Sequence, residues 1–392
     1  MMKKGILTQG VLTLCLTLAV TLVAGAAAQA EGWRDLFNGE NLDGWRTIGD
    51  PEWRVEDGVI KTEGTGEEMG FLIHEDTFSD FVLRLRFKWH GGNSGIGFRS
   101  FVDPENHVVG YQANIDYGRP RGTGSLIEEY GRGTLRETTI PAEELQVEGW
   151  NTMEINALGD RIYIFVNGKQ TGWRPDRSGR KSGIIALQMD VGEDAAMEFT
   201  DIRILEVPDN SRLEWLYRGG DSIEGWQPLG DSIWTVLKDS IVGVSGNGGY
   251  GWLVSEEAYK DFHFSTRFWM PRGNSGIQFR SWVVDEMLHG YQADLASETD
   301  WISGHLYDQN ERGSLAKPEI DFTEVINWNG WNTYEITAIG PTVQLFINGV
   351  KSIEYEDPER DQAGKLAFQI HSGMEMVTFW RDVRMISFDA AE

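Results

Sequence analysis

The chain has 392 residues, and its 61 Asp and Glu against 35 Lys and Arg give a net charge of −26. A surface this acidic repels nucleic acid and anionic lipid, and no basic stripe in the sequence offsets it. Neutral sugars are compatible partners, and the charge also permits a divalent cation. The single cysteine, Cys15, lies in the first thirty residues, so the rest of the sequence excludes disulfides and cysteine-ligated metals.

The first thirty residues have the pattern of an export signal. Lys3 and Lys4 are followed by a mostly apolar, uncharged stretch over residues 11–24, and Ala28-Gln29-Ala30 has the small-x-small form of a cleavage site. The apolar stretch is short for a membrane span, and Cys15 lies too far before the cut for a lipoprotein. We therefore predict a signal peptide over residues 1–30 and a periplasmic or secreted protein with no membrane span after cleavage.

The rest of the sequence is a tandem repeat, in which the second copy follows the first at an offset of 181 or sometimes 180 residues. A period this long indicates domain duplication, because solenoid repeats are much shorter. We predict a first domain over residues 31–207 and a second over 212–392, joined by the short, turn-rich link Pro208-Asp209-Asn210-Ser211. The segments that recur are 93–100 and 274–281, 110–114 and 290–294, and 149–155 and 330–336.

Within each copy the hydrophobic pattern is that of β-strands. Residues 81–89 alternate between apolar and mainly polar side chains. Asn167-Gly168 and Asn348-Gly349 each follow a short apolar run and predict hairpins, because Asn-Gly accepts the positive φ angles of a type I′ turn. No long stretch has a helical period, and 47 glycines punctuate the chain. The sequence predicts an all-β protein of two tandem sandwich or jelly-roll domains.

An ordered series of motifs carries a family resemblance that spans nearly the whole chain after residue 30, twice. In the first copy it consists of Leu36-Phe37-Asn38-Gly39, Gly44-Trp45, Trp53, Asp80-Phe81, Asn93-Ser94-Gly95-Ile96, Gly110-Tyr111-Gln112-Ala113, Gly149-Trp150-Asn151 and Asp201-Ile202-Arg203. With these motifs the sequence resembles the 3-keto-disaccharide hydrolase family. The resemblance implies two concanavalin A-like β-sandwich domains and hydrolysis of 3-keto-glycosides or 3-keto-disaccharides.

The two copies differ at the most polar positions of the family pattern, where the second copy is closer to the family form. Because a proton-transfer site suffers most from losing a histidine and an aspartate, we predict the chemistry in the second domain. The first domain either binds sugar or supports its twin. It has Asn114, Ile127, Glu128 and Asp190 at the positions of Asp294, Tyr307, Asp308 and His371.

The chemistry implied by the resemblance begins from a ketone at C3, which acidifies the proton on C2. A base removes this proton, the C1 substituent leaves, and water adds back. The reaction needs a base, a group that stabilises the enolate oxygen, and an acid or metal for the leaving group.

These requirements give a set of candidate residues. His371 is the leading base, since imidazole exchanges protons near neutral pH, and Arg280 is a fixed cation for the enolate oxygen. Asp294 and Asp308 orient the histidine, hold a divalent metal or bind sugar hydroxyls. The predicted substrate-binding residues are Gln292, Tyr291, Tyr307, Arg312 and Trp301.

Each assignment has a structural alternative. Arg280 has an equivalent in Arg99, which fits a buried ion pair equally well. An ordinary surface position explains His371 equally well, and turn formation explains Asp294 and Asp308. Hydrogen bonding to backbone groups of the sandwich explains Gln292, and packing within a loop explains Trp301. The whole protein also has two alternatives to catalysis: a lectin-like protein that binds carbohydrate without cutting it, or a structural module.

Overall fold

The structure, a computed structural model, describes residues 32–117, 122–138, 145–146, 149–192, 194–208, 211–297, 303–360 and 362–388. The predicted signal peptide, the centre of the predicted link and Trp301 lie outside these residues. The described residues form strands, turns and loops, with no α-helix among them, which confirms the all-β prediction. None of these ranges therefore contains a helix able to span a membrane.

The first domain is a sandwich of two antiparallel sheets. An eight-stranded sheet has the order β13-β12-β11-β6-β15-β4-β3, with β1 paired to β15, and a seven-stranded sheet has the order β10-β9-β8-β7-β14-β5-β2. The strands are β1 Arg34–Asp35, β2 Trp45–Ile48, β3 Trp53–Glu56, β4 Val59–Glu63, β5 Gly70–His74, β6 Phe81–Gly91, β7 Asn93–Val102, β8 Val108–Asp116, β9 Leu126–Glu129, β10 Gly133–Arg136, β11 Asn151–Leu158, β12 Arg161–Val166, β13 Lys169–Pro175, β14 Ile184–Met189 and β15 Ala196–Glu206.

The second domain repeats this topology strand for strand, so the predicted tandem sandwich fold is confirmed. Its eight-stranded sheet has the order β18-β19-β30-β21-β26-β27-β28, with β16 paired to β30, and its seven-stranded sheet has the order β17-β20-β29-β22-β23-β24-β25. The strands are β16 Arg212–Tyr217, β17 Trp226–Gly230, β18 Ser232–Leu237, β19 Ser240–Ser245, β20 Gly251–Tyr259, β21 Phe262–Trp269, β22 Asn274–Val284, β23 Met287–Ala296, β24 Leu306–Gln309, β25 Gly313–Ala316, β26 Asn332–Ile339, β27 Thr342–Ile347, β28 Val350–Glu356, β29 Gly364–Ile370 and β30 Val377–Ser387.

The two eight-stranded sheets contact each other through their outer faces, and the contact is reciprocal. Arg203 in the first domain donates to the backbone oxygen of Gly349 in the second (3.0 Å), and Arg384 donates to the backbone oxygen of Gly168 in the first (3.1 Å). Both glycines belong to the predicted Asn-Gly turns and have positive φ, 74° and 80°. A side chain there would also collide with the other domain: a Cβ on Gly168 would lie 2.4 Å from Thr333.

A cluster of buried charges lies at the centre of this contact. The carboxylate of Glu154 accepts hydrogen bonds from Arg384 (3.1 Å) and Arg84, and Arg84 also pairs with Glu335. Burial would raise the pKa of Glu154, but the charges of Arg384 and Arg84 outweigh burial and hold it well below its usual range. Burial lowers the pKa of the neighbouring His263. Acidic and basic groups from both domains therefore stabilise one another at this interface.

Candidate functional site

The candidate site lies on the outer face of the seven-stranded sheet of the second domain. In β23, Tyr291, Ala293 and Leu295 point into the sandwich core, and strand alternation turns the residues between them outward. Gln292 and Asp294 therefore share the outer face with Gln278 of β22 and Gln369 of β29.

These four side chains form one buried hydrogen-bond relay. Nε2 of Gln278 and Nε2 of Gln369 both donate to Oε1 of Gln292, at 3.1 and 2.8 Å. Nε2 of Gln292 in turn donates to Oδ1 of Asp294. The side chains are at most 4% exposed, so the relay forms a buried floor beneath the outer face.

Asp294 also contacts a histidine on the same face. Nδ1 of His305 lies 3.3 Å from Oδ2 of Asp294, and Nε2 of His305 contacts the hydroxyl of Ser314 at 2.8 Å. Burial raises the pKa of Asp294, although His305 and Gln292 oppose this effect. His305 therefore lies between Asp294 and Ser314, with one ring nitrogen facing each.

His371 and two tyrosines form the half-buried upper part of the same face. Nδ1 of His371 lies 2.8 Å from the backbone oxygen of Ser372, and Nε2 lies 3.0 Å from the hydroxyl of Tyr250. A carbonyl oxygen can only accept, so Nδ1 carries the proton in the neutral ring and Nε2 presents its lone pair. The ring of Tyr307 lies 6.0 Å from that of His305. The face thus combines a basic nitrogen, a buried carboxyl group and phenol hydroxyls.

The equivalent face of the first domain lacks the histidines, the aspartate and the tyrosines of this site. Gln112 and Gln188 remain and hydrogen-bond each other at 3.0 Å, and an apolar cluster beside them, which includes Phe71 and Ile73, has its equivalent in the second domain at Trp252 and Val254. Acid–base groups are therefore concentrated on the second domain. The first domain has Met69, Gly97, Asn114, Ser125, Ile127 and Asp190 where the second has Tyr250, Gln278, Asp294, His305, Tyr307 and His371.

Arg280, predicted to stabilise an enolate oxygen, lies elsewhere. Its side chain is fully buried and donates to the backbone oxygens of Lys260, Gly340 and Arg360 and to the carboxylate of Asp261. The reason is a β-bulge, where Arg280 takes the left-handed conformation (φ 44°) and its side chain turns away from the outer face. Arg99 repeats this arrangement in the first domain with φ 45°. The catalytic assignment of Arg280 is therefore corrected to a structural one.

Asp308, Tyr291 and Arg312 are also placed apart from the outer face. Tyr291 and Asp308 are direct partners across β23 and β24, on the opposite side of the sheet from Gln292 and Tyr307. Asp308 is completely buried, and Arg360 donates a hydrogen bond to each of its carboxylate oxygens at 3.0 Å. Arg312 bridges Asp308 to Asp357, which accepts from Tyr291. The assignment of these three residues to catalysis and substrate binding is corrected: they form a buried ion-pair network.

The first domain supports this correction, because it has the same network without the polar face. Tyr111 donates to Asp176 at 2.7 Å, and Arg132 pairs with Asp176 and Glu128. A feature shared by both domains belongs to the fold. Of the nine predicted site residues, the structure brings together Gln292, Asp294, Tyr307 and His371, while Trp301 lies outside the described residues.

Sequence reasoning did not assign Gln278, Gln369, His305 or Tyr250 to the site. A signal for two of them, His305 and Gln369, was present in the strand period. His305 and Tyr307 are two residues apart, as are Gln369 and His371, so each pair shares a face. For Gln278 the signal was in the repeat: it is the single position at which segment 274–281 differs from segment 93–100, which has Gly97 there.

Two groups of possible metal ligands occur among the described residues, and neither lies at this face. Asp103, Glu105 and His107 form a hairpin turn of the first domain, whereas Glu154, His263 and Glu335 belong to the buried interface cluster. At the outer face itself, Asp294 and the two histidines could contribute one ligand atom each. They do not form a compact three-ligand group in this structure.

A cavity of about 640 Å³ lies between the two domains, away from the outer face. Its wall includes Trp150 and Trp331, but its asparagines already bind backbone groups. Asn348, for example, accepts from the backbone nitrogen of Thr333 and donates to the backbone oxygen of Val325. We therefore place the candidate site on the outer face and not in this cavity.

Replacing Arg280 with alanine is expected to lower the free energy of unfolding by about 2–3 kcal/mol, because three carbonyl oxygens and a carboxylate lose their donor. Chemical denaturation measures this loss. Arg99→Ala, the matched variant in the first domain, is expected to behave alike. A stable Arg280→Ala protein with a specific loss of turnover would contradict the structural role.

Replacing Asp294 with asparagine is expected to raise the free energy of unfolding and Tm at pH 8. The folded-state pKa of Asp294 is raised, so its ionisation opposes folding as the pH rises above the ordinary aspartate value. The gain should shrink as the pH falls and vanish below the ordinary aspartate value of 3.8. Thermal melts from pH 4 to 8 test this. Asn114→Asp should give the opposite change, and a pH-independent difference would refute the explanation.

The fold and the site together define a protein of two tandem β-sandwich domains with an acid–base face on the second. The family model described as the 3-keto-alpha-glucoside-1,2-lyase-like domain matches residues 32–205 and again 217–386. The chain belongs to this family, which confirms the family inferred from the motifs. The family places it among glycosyl hydrolase-like carbohydrate-processing proteins.

Individual relatives are more distant. A 3-keto-disaccharide hydrolase of Bacteroides thetaiotaomicron is 37% identical over 78 residues, which cover 17% of this chain and only 27% of the relative. A candidate glycosyl hydrolase of Parabacteroides distasonis is 18% identical over 45% of this chain and 95% of its own, with a TM-score of 0.36. A carbohydrate-binding module from Bacillus subtilis is 16% identical over 41% of this chain and 94% of its own, with a TM-score of 0.34.

Proposed function

We propose that this protein is an exported hydrolase of 3-keto-glycosides or 3-keto-disaccharides, and that the outer face of the second domain performs the chemistry. The observation that carries the proposal is the juxtaposition of His371 and Asp294 on one face of a family domain, together with their replacement by Asp190 and Asn114 in its twin. The predicted signal peptide supports export to the periplasm or beyond.

The residues of the face suit an elimination followed by hydration. Nε2 of His371 takes the proton from C2, the C1–O bond breaks, and its electron pair passes to the departing oxygen while a C1=C2 double bond forms. Tyr250, hydrogen-bonded to the same nitrogen, supplies a proton to that oxygen and recovers one through His371. Water then adds across the double bond, with hydroxyl at C1 and a proton at C2, so the net reaction is hydrolysis. Asp294 lies below and orients the sugar.

The experiment compares p-nitrophenyl 3-keto-α-glucoside with its unoxidised parent. We expect the protein lacking residues 1–30 to release nitrophenol from the keto substrate only, and to incorporate one solvent deuterium at C2 when the reaction runs in D2O. Cleavage without deuterium would favour direct displacement at C1. Binding of either sugar with no cleavage, with or without added divalent metal, would reject the hydrolase.

Carbohydrate binding without cleavage is the second candidate, and it applies to the first domain. That domain keeps Gln112 and Gln188 on the equivalent face but lacks the histidine, the aspartate and the tyrosine. A protein with Gln112→Ala is expected to turn over substrate at the normal rate. A large loss of kcat in this variant would place chemistry in the first domain.

A further inference from the structure

Two amide oxygens on the floor of the outer face have no hydrogen-bond donor within the described part of the chain. They are Oε1 of Gln278 and Oε1 of Gln369, both on side chains that are fully buried. A buried acceptor without a donor is costly, and most such atoms in proteins have partners. Two of them on neighbouring strands point to a ligand that carries donors.

The orientation of these oxygens follows from Asp294. A carboxylate accepts hydrogen bonds and does not donate them, so Gln292 must turn its Nε2 toward Asp294. Oε1 of Gln292 then faces the other way and accepts from Nε2 of Gln278 and Nε2 of Gln369. Oε1 of Gln278 and Oε1 of Gln369 are thereby left without a donor among the described residues.

The first domain shows the relay without this constraint. Asn114 replaces the carboxylate, and Nε2 of Gln112 donates both to Oδ1 of Asn114 (3.5 Å) and to Oε1 of Gln188 (3.0 Å), so the bond between the two glutamines runs in the opposite sense. Nε2 of Gln188 donates a hydrogen bond to the sulfur of Met69, and Gly97 occupies the position equivalent to Gln278. Neither Gln112 nor Gln188 has a buried acceptor left over.

We propose that Gln278 and Gln369 form a subsite that receives two hydroxyl groups of the bound sugar and so selects substrates whose hydroxyls at these positions are free. This inference rests on the proposed function, because it places the sugar on the same face. Hydroxyls fit better than a divalent cation, which prefers several carboxylates, whereas Asp294 is the one carboxylate found in the relay. Each glutamine accepts one hydroxyl proton.

The test measures binding apart from turnover. Isothermal titrations use the His371→Ala protein with methyl 3-keto-α-glucoside and its 4-deoxy and 6-deoxy analogues. We expect Gln278→Gly and Gln369→Met each to weaken binding of the parent sugar about tenfold. For each variant, one deoxy analogue should bind with the same affinity as the parent sugar, because the hydroxyl that it lacks is the partner of the amide that the variant lacks. Glu56→Ala, which breaks an exposed ion pair with Arg54 away from either outer face, is the control and should bind normally.

Three results would overturn the inference: equal binding of all analogues by every variant, no binding of the parent sugar, or Ca2+ or Mg2+ binding that is lost in Gln278→Gly. Melting curves separate loss of binding from loss of folding, and Gly97 shows that this fold accepts glycine there. Failure of the proposed function looks different, because wild-type protein would then bind the sugars with the expected pattern but release no product.

Discussion

Replacing His371 with alanine is expected to lower kcat for the 3-keto substrate by a factor of 10² to 10⁴, the usual contribution of a positioned general base. Nδ1 of His371 is held by the backbone oxygen of Ser372, which leaves Nε2 as the basic nitrogen beside Tyr250. KM should change little, because the hydrogen-bonding floor under the sugar remains. Steady-state kinetics with p-nitrophenyl 3-keto-α-glucoside measures the effect.

Chemical rescue distinguishes a base from a merely structural histidine. Added imidazole should restore part of the rate lost in His371→Ala, because a free imidazole can accept the C2 proton in the space left by the side chain. Asp190→Ala, the matched change in the first domain, should leave the rate unchanged with or without imidazole. Full activity in His371→Ala would remove this residue from the mechanism and transfer the role of base to Asp294.

Strand alternation allowed the sequence to predict much of the fold but only part of the site. Tyr291 and Gln292 are neighbours in one motif, so a list of polar residues groups them together. In a strand they point to opposite sides of the sheet, and the register with β24 places Tyr291 opposite Asp308 and Gln292 opposite Tyr307. Whether a residue belongs to the ion-pair network or to the outer face therefore depends on the alternation of side chains along its strand. Motif matching does not take this alternation into account.

The position of Arg280 could not be predicted from strand alternation. In a regular strand it would share the outer face with Gln278, two residues earlier. The bulge in β22 adds one residue and reverses the side on which Arg280 emerges. The sequence around it contains no glycine or proline that would mark the bulge. Only the repetition of the same conformation at Arg99 reveals it as a constant feature of the fold.

The contact between the domains was not predicted either, since Glu154 occupies the same motif position as Glu335 and nothing in one copy identifies its partner in the other. The structure shows that Arg384 of the second domain reaches Glu154 of the first. Arg203, its counterpart in the first domain, instead lies 3.6 Å from the ring centroid of Phe346. The repeat pattern gives the two domains but not the faces through which they pack.

Replacing Glu154 with alanine is expected to cost about 3–5 kcal/mol, the effect of leaving buried charges without their partner. Arg84 and Arg384 both donate to this carboxylate, and all three side chains are at most 2% exposed. Because the cluster joins the domains, the loss should appear as earlier separation of the domains as well as a lower free energy of unfolding. Urea denaturation and limited proteolysis measure the two effects.

Acid should produce a related effect in the wild type, and its sign follows from the pKa of Glu154. The folded state holds this pKa well below the ordinary value of 4.5, so the stabilisation is complete at neutral pH and is lost as the pH falls from about that value toward the folded pKa. Glu154→Gln should flatten this dependence. Glu56→Ala, which breaks an exposed pair with Arg54, is the control and should leave the free energy of unfolding almost unchanged. If Glu154→Ala were as mild as this control, the buried cluster would not hold the domains together.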